Sequence, residues 1–121
     1  MRISQPGLVL AIVLLVAGPA YAADYYGAIA YSPTTRAHGW AKDHPSRQAA
    51  ERASLSGCAQ HAADCSAVLW FKNACGALAT GPKGAGWAWD QKQSAADQGA
   101  ISACAKHSTA CTVKRRVCTA R

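Results

Sequence analysis

The chain carries one ordered series of short motifs twice. Gly27-Ala28-Ile29-Ala30 recurs as Gly76-Ala77-Leu78-Ala79, and Gly39-Trp40-Ala41-Lys42-Asp43 recurs as Gly86-Trp87-Ala88-Trp89-Asp90. Ala49-Ala50 and Ala95-Ala96 lie in alanine-rich stretches that end in Leu55-Ser56-Gly57-Cys58 and Ile101-Ser102-Ala103-Cys104. A histidine-containing loop (His61, His107) and a second cysteine (Cys65, Cys111) follow each, and a third cysteine, Cys75 or Cys118, closes the copy. Ordered matches at a period of about 45 residues indicate a tandem duplication, with repeat one at about 25–75 and repeat two at about 76–118.

Each copy gives the same local reading. Tyr25 to Tyr31 is rich in apolar and aromatic residues and is followed by the turn chemistry of Ser32-Pro33-Thr34-Thr35; His38 to Lys42 returns as a second strand. Ser46 after Pro45 is a helix N-cap, and Ala49, Ala53 and Gly57 recur every four residues as a narrow face of small side chains. Ala67 to Phe71 is an unbroken apolar run, expected as a buried central strand. In repeat two, Gly76 to Thr80 and Gly86 to Trp89 are strands around the turn Gly81-Pro82-Lys83-Gly84. Ser94 and Asp97 have capping-box spacing for a helix running to about Lys106, and Thr112 to Val117 is the closing strand. The expected fold is α+β: one small disulfide-stapled domain of two tandem ββαβ units related by a pseudo-twofold axis.

Residues 1–22 read as a cleavable signal peptide. Met1-Arg2 is a short basic start, Leu8 to Ala17 carries no charge, and Ala20-Tyr21-Ala22 supplies small residues at a cleavage site. The apolar run is shorter than the ~20 residues that span a bilayer. The remaining residues, 23–121, make one exported domain holding all six cysteines. An even cysteine count in an exported chain of this size reads as three disulfides, which fifteen pairings could satisfy. If both copies obey one rule, Cys58 joins Cys65, Cys104 joins Cys111, and the leftover Cys75 and Cys118 join the two copies.

These residues resemble the DUF4189 family of exported bacterial domains. The features that carry the resemblance are Tyr26-Gly27-Ala28-Ile29-Ala30, Gly39-Trp40, the alanine-rich helix ending at Cys58, Asp64-Cys65 leading into Val68-Leu69-Trp70-Phe71, and Asn73 before Cys75. The repeat of this scheme through Cys118 extends the likeness over residues 25–118. The resemblance implies export and one domain, and it brings no catalytic residues. The basic final strand departs from the apolar residues expected there.

No stretch commits the chain to a reaction. Bridged cysteines offer no thiolate nucleophile, and no G-x-S-x-G elbow is present. Asp43 and Asp90 occupy equivalent positions and could pair as acids of a hydrolase, but an aspartate just ahead of a helix more simply caps its free N–H groups. The histidines, with Asp43 and Asp64, match no metal-ligand spacing, and Gly81 to Gly86 lacks the Lys-Ser/Thr ending of a phosphate loop. No cofactor or metal is expected. Trp40, Trp70 and Trp87 are assigned to the core. Trp89 stands where repeat one has Lys42, so it is expected outside.

Charge gives the best functional candidate. The formal net charge is +7, and residues 76–121 carry seven basic against two acidic side chains where residues 23–75 carry five against four. Lys114, Arg115 and Arg116, with Arg121 and Lys106, gather around one strand, and with Trp89 they form the expected binding surface. Such a strand is more simply read as an edge protected by charge against aggregation. The leading expectation is a non-enzymatic binding module for an envelope protein or an acidic envelope polymer, for instance an inhibitor or immunity protein. Nucleic acid is disfavoured for an exported chain with no recognition motif. The alternatives are a small cell-wall hydrolase and a structural or stress-related envelope protein.

Overall fold

The computed structural model describes Gly7, residues 11–13 and residues 23–121. Most of the expected signal peptide therefore lies outside the described residues. The elements run β1 (Tyr26–Tyr31), β2 (His38–His44), α1 (Arg47–Ala59), β3 (Ser66–Lys72), β4 (Cys75–Gly81), β5 (Gly84–Asp90), α2 (Gln93–Ala105) and β6 (Thr112–Cys118). Two ββαβ units thus follow one another, each a three-stranded antiparallel sheet with a helix on it. The strand orders are β2-β1-β3 and β5-β4-β6. Sheet A packs on sheet B with β1 over β4, β3 over β5 and β2 over β6, and each helix covers only its own sheet. The result is four layers, helix–sheet–sheet–helix, whose cross-sheet contacts are those of a twofold exchange.

β1 and β4 are the central strands. Their sequences look too poor in large side chains for that role, and the packing explains them. Ala77 and Ala79 face α2, meeting Ala96, Ala100 and Cys104. A Cβ built on Gly39 would lie 2.1 Å from the Ser54 carbonyl oxygen in α1, and one on Gly86 would lie 2.1 Å from the Cys104 nitrogen in α2. Helix backbone therefore lies directly on strand backbone, a distance that only small residues allow. The other face of each sheet supplies the large core: Ile29, Leu78, Phe71, Tyr31 and Val117. The Phe71 ring fills the space that side chains on the repeat-related Gly27 and Gly76 would occupy. Full burial of each such large side chain contributes roughly 1.5–3 kcal/mol.

Several expectations need correction. Ala67–Phe71 is not a central strand: β3 lies at the edge of sheet A, and only Phe71 of it is fully buried. The buried helix stripes are Ala50-Ser54-Cys58 and Ala96-Ala100-Cys104, one residue beyond the expected face. Ser46 does cap α1, accepting from the Ala49 N–H at 3.1 Å. No side chain caps α2, which begins after Lys92. Asp97, expected in a capping box there, accepts from Gln93 Nε2 and Arg116 Nε instead.

Three disulfides close the fold, Cys58–Cys65, Cys104–Cys111 and Cys75–Cys118. The first two tie each helix end to the loop before the next strand. Cys75 is the first residue of β4, so its bond to Cys118 crosses between neighbouring strands of sheet B rather than joining the copies. The matching pair in sheet A is Tyr26 opposite Lys72, with the ammonium 5.9 Å from the ring centroid. Asn73 and Thr119 repeat another closure. Asn73 donates its N–H to the Tyr25 carbonyl and accepts from the Tyr25 N–H through Oδ1. Thr119 does the same with Ala74 through Oγ1.

Candidate functional site

The pseudo-symmetry creates two equivalent edges, β3 beside β5 and β6 beside β2. On β5, Gly86 and Ala88 turn toward α2, so Trp87 and Trp89 face the β3 side of the sandwich. On β2, Gly39 turns toward α1, which puts Trp40 and Lys42 at the equivalent positions facing β6. The four tryptophans are consequently not core. Trp40, Trp70, Trp87 and Trp89 are 43, 40, 36 and 56 % exposed. Edge strands place these positions at the rim of the sandwich, where an indole is covered on one side only.

The two edges differ in chemistry. At the β3–β5 edge, Leu69, Trp70, Phe71, Trp87 and Trp89 wall a cleft of about 500 Å³, with Lys72 as its one charged side chain. A second hollow of about 420 Å³ shares Val68 and Trp87 with the first and continues toward the β4–β5 turn. Tyr31 lies against Trp87 there, with ring centroids 6.4 Å apart, and Arg36, Lys83 and His107 stand around its mouth. Among the described residues, no Asp or Glu lines either hollow. The first hollow is apolar and aromatic, and the second is mixed, with Ser66, Arg36, Lys83 and His107 among its lining residues. Lys72 of the first hollow is paired with Asp24 at 3.3 Å.

At the β2–β6 edge, Lys114, Arg115 and Arg116 stand where β3 has Val68, Leu69 and Trp70. The Arg115 guanidinium sits 5.5 Å from the centroid of Trp40, and its Nε donates to His38 Nε2 at 3.3 Å. Accepting that bond requires a neutral imidazole. Burial, and then the charges of Arg115, His61 and Lys114, hold the His38 pKa below its ordinary value. The position that is open on one edge is thus filled by Arg115 on the other.

Of the residues expected to form one binding surface, the fold brings some together and separates others. Trp89 lies on β5 and Lys114, Arg115 and Arg116 on β6, on opposite sides of β4. Arg116 is engaged with Asp97 at 2.7 Å, and Arg121 donates to the Gln91 carbonyl. Lys106 is exposed at the end of α2. The aspartates do not converge on a cleft either. Asp43, with a left-handed backbone (φ 61°) at the β1–β2 bulge, accepts from the Ala120 N–H at 2.7 Å. It caps no helix. Asp90 accepts from the Lys92 N–H at 2.9 Å, just ahead of α2.

The family model described as a domain of unknown function, DUF4189, matches residues 26–118. The chain belongs to the DUF4189 family. No curated protein and no solved structure gives a match. In this DUF4189 domain every cysteine is bridged, and among the described residues no three His, Cys, Asp or Glu side chains gather as metal donors. Nor is any helix among the described residues long and apolar enough to cross a membrane. The cleft between β3 and β5 was not legible as a site, because its walls come from different repeats and its residues read as core. The one available signal was Trp89 opposite Lys42.

Asp64 marks a different kind of polar cluster. Its carboxylate accepts from Ser32 and, at 2.5 Å, from Thr34, and these hydrogen bonds hold its pKa below the usual 3.8. The cluster fastens the β1–β2 turn to the loop of the Cys58–Cys65 bridge.

Proposed function

We propose that this DUF4189 protein is an exported, non-enzymatic binding module that receives apolar side chains of a protein partner in the β3–β5 cleft. The observation that carries the reading is the contrast between the cleft and its twin. The same backbone geometry is filled by Arg115 over Trp40 on one edge and left as an open aromatic cleft on the other, so the fold itself does not require the opening. Half-exposed tryptophans around an apolar hollow are the usual anchors of protein interfaces. A sugar polymer would need hydroxyl-binding amides and carboxylates along the walls, and among the described residues the cleft is lined by neither. Export is supported by the character of residues 1–22 and by three disulfides. A hydrolase is disfavoured because Asp43 and Asp90 are both occupied with backbone N–H groups.

The test converts one edge into the other. The triple variant Val68→Lys, Leu69→Arg, Trp70→Arg gives β3 the side chains of β6, which the same fold already accommodates. The oxidised protein and this variant are used to capture proteins from an envelope extract. A partner retained by the parent and lost by the folded variant is expected. Equal recovery of that partner by both would overturn the proposal.

A further inference from the structure

The sandwich has four edge strands, and three of them carry the usual protection against unwanted pairing. β2 is bulged opposite Tyr26–Ala28 and carries Lys42. β3 is bulged opposite Ile29–Ala30 and carries Lys72, and β6 is bulged opposite Leu78–Ala79 and carries Lys114, Arg115 and Arg116. A bulge breaks the regular spacing of donors and acceptors that an incoming strand must match. β5 differs from all three. It pairs with β4 in unbroken register from Gly84 to Asp90, and it has no basic side chain and no charge before Asp90. Among the described residues its other edge has no strand neighbour, and its Trp87 and Trp89 form one wall of the cleft.

Resting on the cleft reading above, we infer that the partner enters as an extended segment that adds to the free edge of β5. In this arrangement the segment's backbone continues the ladder of sheet B, alternate apolar side chains enter the cleft against Trp87, Trp89 and Leu69, and carboxylates at one end meet Lys83, beside Arg36, which donates to the Pro82 carbonyl. Strand addition divides the labour in this way because main-chain hydrogen bonds hold any sequence, whereas alternate side-chain pockets and end charges select one. The occupant is an acidic protein segment rather than a second copy. The hollow beyond Trp87 presents cations and no acid, and a chain of formal charge +7 repels its own copy.

The probe is a capped ten-residue peptide alternating leucine with threonine and ending in two aspartates, titrated into the oxidised protein by calorimetry and followed by amide hydrogen exchange. Saturable 1:1 binding and slowed exchange along Gly84–Asp90 are expected. Affinity should fall at least tenfold when alternate peptide nitrogens are methylated, when lysines replace the aspartates, or with Lys83→Glu in the protein. If the peptide binds and Trp89→Ala abolishes binding, but methylation and Lys83→Glu change nothing, strand addition is overturned while the apolar cleft stands. If it binds nowhere up to millimolar concentration, the strand-addition inference falls, and a failed edge conversion in the capture experiment would take the cleft reading with it. Sedimentation showing a dimer that the peptide dissociates would assign the edge to a second copy and overturn the acidic occupant.

Discussion

The β3–β5 and β2–β6 edges are built from equivalent strands and meet at equivalent places, yet one is an aromatic hollow and the other a basic seam in which Arg115 lies over a still half-exposed Trp40. Trp87 and Trp40 are repeat partners with similar exposure. What separates them is the chemistry of the neighbouring strand: apolar Leu69 lines the cleft beside Trp87, and the Arg115 guanidinium lies over Trp40. Duplication supplied two copies of one geometry, and divergence of two short strands gave them opposite chemistry. The small-residue helix contacts and the Cys58–Cys65 and Cys104–Cys111 bridges recur in both halves, whereas the Cys75–Cys118 bridge of sheet B has Tyr26 and Lys72 in its place in sheet A.

The core tests how far the halves are still twins. Phe71 fills the gap between Gly27 and Gly76, whereas its partner Val117 fills less. Phe71→Ala is expected to lower stability by about 3–5 kcal/mol and Val117→Ala by roughly 2, read from urea unfolding of the oxidised protein. Equal losses would mean that the shared core is not organised around Phe71. The next effect concerns the helix contacts. Gly39→Ala and Gly86→Ala both push a Cβ into helix backbone, and each should cost about 1–3 kcal/mol. A neutral result at one position alone would break the equivalence of the two helix–sheet layers.

Smaller effects follow from the polar groups that only one repeat has. Asp64 is held ionised by Ser32 and Thr34, and the corresponding place in repeat two has no carboxylate. Its folded pKa is lowered, so its contribution is present above the unfolded value near 3.8 and disappears as the pH falls through the lower folded one. Asp64→Asn should therefore flatten the acid limb of the stability profile, measured by thermal unfolding between pH 2 and 5. His38 gives the smallest signal. Its lowered pKa means that the folded state resists protonation, so the associated stability is complete above 6.5 and declines as the pH drops below that value. Arg115→Leu should move the His38 titration upward toward its ordinary value while leaving the effect of burial, and an NMR titration that does not move would show that Arg115 does not act on His38.

Much of this architecture was legible from the repeat. Matching Gly27 to Gly76 and Cys58 to Cys104 fixed the order of elements, and treating the cysteines alike gave the pairs seen in the fold. Strand position within the sheet was not legible. Val68-Leu69-Trp70-Phe71 has the composition of a buried strand, yet the cleft leaves it half exposed at an edge. About half of the residues of the central strands, β1 and β4, are alanine or glycine, because one face of each lies under the small residues of a helix while Ile29, Tyr31 and Leu78 face the opposite sheet. Hydrophobicity reports side-chain size and polarity, and it carries no information about how closely a neighbouring backbone approaches. For the same reason the Trp89 and Lys114–Arg116 groups read as one surface, although the order β5-β4-β6 separates them.

The most direct test substitutes the twin indoles one at a time and measures binding of the acidic, apolar probe peptide. Calorimetry on folded Trp87→Ala should show affinity reduced tenfold or more, on the scale of about 1.4 kcal/mol per decade. Folded Trp40→Ala should bind within about twofold of the parent, as expected for a residue outside the interface. Equal losses from the two substitutions, or a larger loss from Trp40→Ala, would contradict the assignment of one edge to binding and the other to closure.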